Sequence, residues 1–311
     1  WEDLELGRAR YTFRTALPAD FDDSATHTLG IYATRNLSAT PLETNQYDNV
    51  TYDFVPDGGE VVEEWQGMLD QTCNSCHEQL AFHGGSRRDV KLCVLCHNKQ
   101  TLDPDTGNTV DMKVMIHKIH TGANLPSVQA GTPYQIIGFG NTVHDYSGIL
   151  MPQDMRNCVR CHTADTPGGA VWFTEPSRDA CGSCHDDIVW DTGEGHPIPQ
   201  LDDANCANCH IPEGESEFDI SVIGAHVVPG KSSQLPGLNL EITEVTGAAP
   251  GGFPTVYFTL TEDDGSTVEN IAGLRTLTLR AAGPLGDTID HSIDISQDAR
   301  AATLAGDEYM M

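Results

Sequence analysis

The sequence predicts an α+β multidomain chain in which two cysteine-free, β-rich segments flank a central zone of short helices and loops. Three observations predict it. All ten cysteines lie between residues 73 and 209. The flanking segments carry short runs of β-branched and aromatic residues between turn formers, a strand signature. The central zone repeats one pattern, C-x-x-C-H, five times.

Residues 1–68 form the first β segment, with strands expected over Arg10–Arg14, Thr26–Thr34 and Asn49–Val55 and turns at Pro18–Asp20 and Asp57–Gly59. Residues 229–311 form the last. Leu238–Val245, Pro254–Thr261 and Leu274–Arg280 are its strand-like runs, broken by Asp263–Gly265 and Gly283–Gly286. At about 80 residues this segment is short for a barrel or sandwich, so an incomplete β domain is expected.

Residues 69–228 hold the chemistry. The motifs are Cys73/Cys76/His77, Cys93/Cys96/His97, Cys158/Cys161/His162, Cys181/Cys184/His185 and Cys206/Cys209/His210. C-x-x-C-H is the attachment signature of c-type haem. Two thiols add across the two vinyl groups of one porphyrin and so need a short fixed separation, and the adjacent histidine reaches the iron from one face. Paired cysteines also mark zinc sites and disulfide frameworks. Zinc does not require a histidine after every second cysteine, and so short a spacing makes a poor staple for a long loop. The expected cofactors are therefore five covalent haem c groups. The 154 residues from Cys73 to His226 give about 31 per motif, too little polypeptide to separate the porphyrins.

Thirteen histidines are present, and eight lie outside the motifs. An iron with two imidazoles is six-coordinate and closed to substrate, an electron carrier tuned by its axial ligands. His117 and His120 are the first candidates for the second ligand. Val114, Met115, Ile116 and Ile119 recur at helical spacing up to Gly122, and residues three apart share a helix face. His83 precedes Gly84–Gly85, which lets the backbone approach a porphyrin closely. His196 sits in the loop Gly193–Pro197 between the fourth and fifth motifs, and His226 follows the fifth motif by 16 residues. His144 is held in reserve, since Asp145 beside it could hold its ring structurally. His27 and His291 lie in the β segments and read as structural or surface residues.

The formal net charge is −29, from 46 acidic and 17 basic residues. Such a field repels nucleic acid and anionic lipid. The Asp-rich stretch Asp103–Asp111 offers hard oxygens of the kind calcium takes. No run approaches the ~20 apolar residues of a membrane helix, so no transmembrane segment is expected. The chain opens at Trp1 with neither a basic nor an apolar leader. Because haem is attached outside the cytoplasmic membrane, an exported protein is expected.

CNSCHEQLAFHGG (73–85), CVLCHN (93–98), VMIHKIHTGANLP (114–126), MPQDMRNCVRCH (151–162), ACGSCHDDI (180–188) and CANCH (206–210) stand in an order that resembles the outer-membrane decahaem cytochromes of the OmcA/MtrC type. NVTYDFVP (49–56) extends the resemblance upstream. It implies alternating β and five-haem domains, a place at the cell surface or outside the cell, and extracellular electron transfer. The implied acceptors are metal oxides, soluble metals, flavins or partner cytochromes. The implied partners are other multihaem cytochromes or an outer-membrane porin–cytochrome complex. With five motifs the chain is expected to be part of a longer decahaem protein, and it has no spare cysteine pair for a β-domain disulfide. Two other functions stay open. One is a homo-oligomeric haem filament; the other is a multihaem reductase, which needs an open iron position although no C-x-x-C-K variant is present. The chain reads as a carrier more than an enzyme, with terminal metal reduction left open.

The mass of the haem-loaded 311-residue chain is expected to exceed that of its polypeptide by five haems, measured under denaturing conditions that strip any non-covalent group.

Overall fold

A computed structural model describes the chain except residues 1, 4–6, 43, 63–66, 282–294, 306–307 and 311. His291 therefore lies outside the described residues. The chain divides into two units, Trp1–Val228 and Pro229–Met311.

The first unit begins with a short antiparallel pair, β1 (Glu2–Asp3) and β2 (Ala9–Arg10). Only Arg10 of the expected Arg10–Arg14 strand is in a sheet. Tyr11 and Phe13 lie outside the sheet and meet edge to face at 5.4 Å. A long hairpin follows, β3 (His27–Asn36) and β4 (Asn45–Phe54), in register from His27↔Phe54 to Asn36↔Asn45. Alternation splits it into two faces. One face points at the segment that carries the second haem motif. Asn49 donates to the Ser86 carbonyl at 2.9 Å and accepts from the Arg88 amide at 2.8 Å. The Arg87 guanidinium lies 3.8 Å from the Tyr32 ring centre and that of Arg88 4.3 Å from Tyr47. Asp53 takes an ion pair from Lys91 and a hydrogen bond from Thr28, which together hold its carboxyl below the usual carboxylate range. Gly30 completes the fit, since a Cβ there would meet the ends of Leu92 and Leu95.

Beyond the hairpin the elements are short. They are α1 (Asp70–His77), α2 (Val90–Cys93), α3 (Met112–Thr121), α4 (Pro126–Gln129), α5 (Val171–Thr174), α6 (Arg178–Gly182), α7 (Cys206–Cys209) and α8 (Val222–Ala225), with a hairpin of β5 (Gln135–Gly138) and β6 (Thr142–Asp145) between α4 and α5. Among the described residues of this unit only Val55, Val90, Leu92, Leu125 and Tyr134 are buried apolar side chains. Side chain against side chain therefore supplies little of its core. Polar capping fixes the helices instead: Asp111 opens α3 by accepting from the Lys113 and Val114 amides, at 3.0 and 3.4 Å. Gly122 ends α3 at φ +47°, where the Ala123 amide bonds the Ile149 carbonyl at 2.9 Å.

The second unit contains a four-stranded sheet in the order β11 (Thr303–Ala305), β12 (Glu308–Met310), β8 (Thr255–Thr261), β7 (Asn239–Thr246), and a separate pair of β9 (Thr278–Ala281) with β10 (Ile295–Asp298). Its core is Phe258, Leu260, Ile271 and Ala299, packed by Val256, Val268, Leu274, Leu277, Leu279 and Ala302. The expected strand over Leu274–Arg280 forms only from Thr278. Leu274 instead closes a 3-10 turn at Ile271–Gly273, and the Leu277 carbonyl accepts from Ala299 at 2.8 Å. Among the described residues no helix is long and apolar enough to cross a membrane.

Gly122→Ala is expected to lower stability by more than about 1 kcal/mol, read as a lower Tm. The position combines positive φ with a Cβ that would run into the Ile149 carbonyl oxygen.

Candidate haem-binding site

Each motif is one turn of helix. In motifs two to five the histidine amide donates to the carbonyl of the first cysteine at 2.9 Å, as for His97→Cys93, His162→Cys158, His185→Cys181 and His210→Cys206. Motif one lies within α1. This i→i−4 bond stacks the first cysteine and the histidine on one side of the turn, the arrangement that lets one porphyrin be gripped at its edge and ligated at its iron.

The histidines outside the motifs arrive from separate elements and stand opposite those inside them. Ring centres are 5.9 Å apart for His77 and His120, 5.9 Å for His83 and His97, 6.2 Å for His117 and His162, 6.3 Å for His185 and His226, and 6.2 Å for His196 and His210. Two bonds of about 2 Å from imidazole nitrogens to one metal, plus the reach from each nitrogen to its own ring centre, give roughly this span. The structure thus brings one outside histidine to each of the five motif histidines.

His144 joins no pair. Its ring stacks on Tyr146 at 6.5 Å, on β6. His27 stacks on Phe21 at 4.3 Å and bonds the Asp22 carbonyl at 2.6 Å.

Second partners set the tautomers. Nδ1–H donates to a backbone carbonyl in His97 (Val110, 2.9 Å), His117 (Lys113, 2.7 Å), His120 (Ile116, 2.9 Å), His196 (Ile198, 2.8 Å), His210 (Ile220, 3.2 Å) and His226 (Val222, 2.7 Å). A carbonyl can only accept, so Nδ1 carries the proton and Nε2 is left with a free lone pair. That is the form a metal-ligating histidine takes. Burial favours the same neutral state. His117 is pushed down to about 4, first by burial and then by the charge of His162, and burial also lowers His83, His162 and His185.

The thiols follow their surroundings. Burial pushes those of Cys93 and Cys158 up to about 11. Cys76 is held below the ordinary thiol range by hydrogen bonds from Arg160 and Ser75. Beside the motifs lie apolar side chains at the surface, among them Phe82, Leu95, Val159 and Ile211. They suit the flanks of a large flat apolar group, so the donors and their surroundings fit haem.

They do not fit zinc. Among the described residues no three or more His, Cys, Asp or Glu side chains converge on a common metal position. At Asp103–Asp111, where the sequence offers oxygens that calcium could take, the described carboxylates do not cluster either. Asp103 is buried and spends its carboxylate on Thr106, the Asp105 amide and the Ile137 amide, while Asp111 caps α3.

Two contacts were not anticipated from sequence. Lys118, between His117 and His120, reaches Asp186, next to His185, at 2.5 Å, and Asp186 also accepts from the Ser127 amide and hydroxyl at 2.9 and 2.7 Å. Burial pushes the Asp186 carboxyl up, but these donors outweigh it and hold it below the usual range. Arg160 approaches Cys76 Sγ to 3.3 Å. The signal for both lay in the motifs, as charged residues flanking or inside ligand triplets (H-K-I-H, C-H-D, C-V-R-C-H).

The family model for outer membrane cytochrome MtrC/MtrF-like domains II/IV matches residues 68–221. The multiheme cytochrome MtrC of Shewanella baltica (strain OS185) is 26% identical over 224 residues, 70% of this chain. Over residues 68–221 the chain belongs to the OmcA/MtrC-type multihaem c-type cytochromes. A high-molecular-weight cytochrome c of Nitratidesulfovibrio vulgaris is 25% identical over 162 residues, 50% of this chain. The chain spans 30% of the MtrC relative and 28% of the second. Among solved structures, that of MtrC from Shewanella baltica OS185 superposes over 93% of this cytochrome and 45% of its own chain, at a TM-score of 0.58 and 21% identity. That of the outer membrane decaheme cytochrome OmcA covers 86% and 41%, also at 0.58 and 21%. These likenesses establish a shared mixed helix and strand fold.

Lys118→Met is expected to cost about 3 kcal/mol, because it strands a poorly exposed carboxylate. Adding Asp186→Asn should return part of that loss, measured as Tm in a double-mutant cycle.

Proposed function

We propose that this cytochrome conducts electrons through five covalently attached haems, each held between two imidazoles, in the spatial order of motifs two, one, three, four, five. The observation that carries the reading is the set of five histidine pairs at 5.9–6.3 Å. Cys73, Cys76, Cys93, Cys96, Cys158, Cys161, Cys181, Cys184, Cys206 and Cys209 would hold the porphyrins, and the ten paired histidines the irons. Haem bound in this way supplies one-electron exchange at an iron with no open position.

The order follows from which attachment sites are neighbours. The thiols of Cys93 and Cys73 lie within electrostatic reach of each other, as do Cys73 and Cys161, Cys158 and Cys184, and Cys181 and Cys206. Thr121 at the end of α3 contacts Cys184 at 3.2 Å. One helix, α3, presents His120 to motif one and His117 to motif three, so a single rigid element sets the separation at the middle of the chain of haems. The protein's share of the chemistry is to orient these rings, fix their tautomers and hold neighbouring groups close.

On this reading the molecule is exported and works at the cell surface or outside the cell. It passes respiratory electrons to metal oxides, soluble metals, flavins or another cytochrome, beside partner cytochromes or a porin–cytochrome complex. Residues 69–228 serve as the haem domain between β segments 1–68 and 229–311. A reductase with an open iron finds no support in a set of five complete pairs.

His117→Ala is expected to convert one haem of five from low-spin to high-spin in the visible and EPR spectra, and His144→Ala to leave both spectra unchanged. A spin change on removing His144, or none on removing His117, contradicts the pairing.

A further inference from the structure

Nine lysines and arginines lie in residues 69–228. Lys91, Lys99, Lys118, Arg156 and Arg178 each form an ion pair with an aspartate. Arg87, Arg88, Lys113 and Arg160 are in no such pair among the described residues, and of these Arg160 is the one that bonds a motif sulfur. Its guanidinium sits 3.3 Å from Cys76 Sγ and 3.5 Å from the Ser75 carbonyl, and no carboxylate pairs with it among the described residues. It is carried between Cys158 and Cys161 of motif three, yet it touches motif one. The stretch around motifs four and five is different in charge. From residue 179 to residue 230 there is no lysine or arginine, and there are eleven aspartates and glutamates.

We infer that Arg160 is an electrostatic positioning residue, a fixed cation at the junction of motifs one and three that raises the reduction potential of the haems held there. The inference rests on the five-haem reading above. Reduction adds one negative charge at the iron, so a nearby positive charge favours the reduced state. Arginine stays protonated at every accessible pH, which makes its contribution permanent. Exposed charges are screened by solvent and salt, but Arg160 stands against the very sulfur that would join motif one to its porphyrin edge. No bond forms or breaks in this role. A single electron, supplied by dithionite in the test below, settles on an iron whose surroundings Arg160 has made more positive. The acid-rich stretch around motifs four and five acts in the opposite direction.

The test is a spectroelectrochemical titration of the haem-loaded full chain, with dithionite as reductant, for the unaltered protein, Arg160→Gln, Arg160→Lys and Ser75→Glu. Arg160→Gln is expected to lower the reduction equilibrium of one or two haems about tenfold, 59 mV for one electron, and to leave the others in place. Arg160→Lys keeps the charge and is expected to titrate like the unaltered protein. Ser75→Glu places a carboxylate beside the retained arginine and is expected to reproduce the downward shift, so the inference stays testable should Arg160→Gln fail to fold. Arg160→Gln curves that superimpose on the unaltered protein overturn the role, as does an Arg160→Lys shift as large as that of Arg160→Gln, which would mark a structural contact. An unaltered protein without five low-spin haems overturns the wire reading itself, and that spectrum is read before any variant is compared.

Discussion

Everything in the haem zone depends on two imidazoles being held with ring centres about 6 Å apart, five times over, by a backbone with little core of its own. Short helices cannot do this by propensity, because helices of four to ten residues are marginal in isolation. The rings are fixed by carbonyls one turn away. His117 bonds Lys113 and His120 bonds Ile116 along α3, while His226 bonds Val222 along α8. The helix that carries a ligand therefore also orients its ring, so a shift of the helix carries nitrogen and tautomer together.

What holds the helices is mostly polar and long-range. Asp186 ties α3 and the start of α4 to the fourth motif through Lys118 and Ser127. The β3–β4 hairpin grips the segment around the second motif through Asn49, Asp53, Tyr32 and Tyr47. These contacts give Asp53 and Asp186 a structural use in a zone with few buried apolar side chains.

The chemistry was legible in the sequence because it is local. C-x-x-C-H fixes thiols and imidazole within one turn, and the spacing of His117 and His120 before Gly122 already placed two rings on one helix face. His83 was legible through its two glycines. The structure gives the reason, with His83, Gly84 and Gly85 all at positive φ in a tight turn closed by the Phe82↔Arg87 bridge. Which motif each ring faces was not legible, since His120 meets His77 across 43 positions and no local pattern encodes that. The strands were legible where alternation continued into a partner, as in β3, β4 and β8. They failed at Arg10–Arg14, where two aromatics found each other, and at Leu274–Leu277, where the backbone closed a 3-10 turn instead.

The central claim is that each iron lies between one motif histidine and one named partner. An experimental structure of the haem-loaded protein tests it most directly. The account predicts five irons, one midway between the rings of each pair His77–His120, His97–His83, His162–His117, His185–His226 and His210–His196. An iron bound by a single protein imidazole, or one that takes His144 as its second ligand, would contradict it.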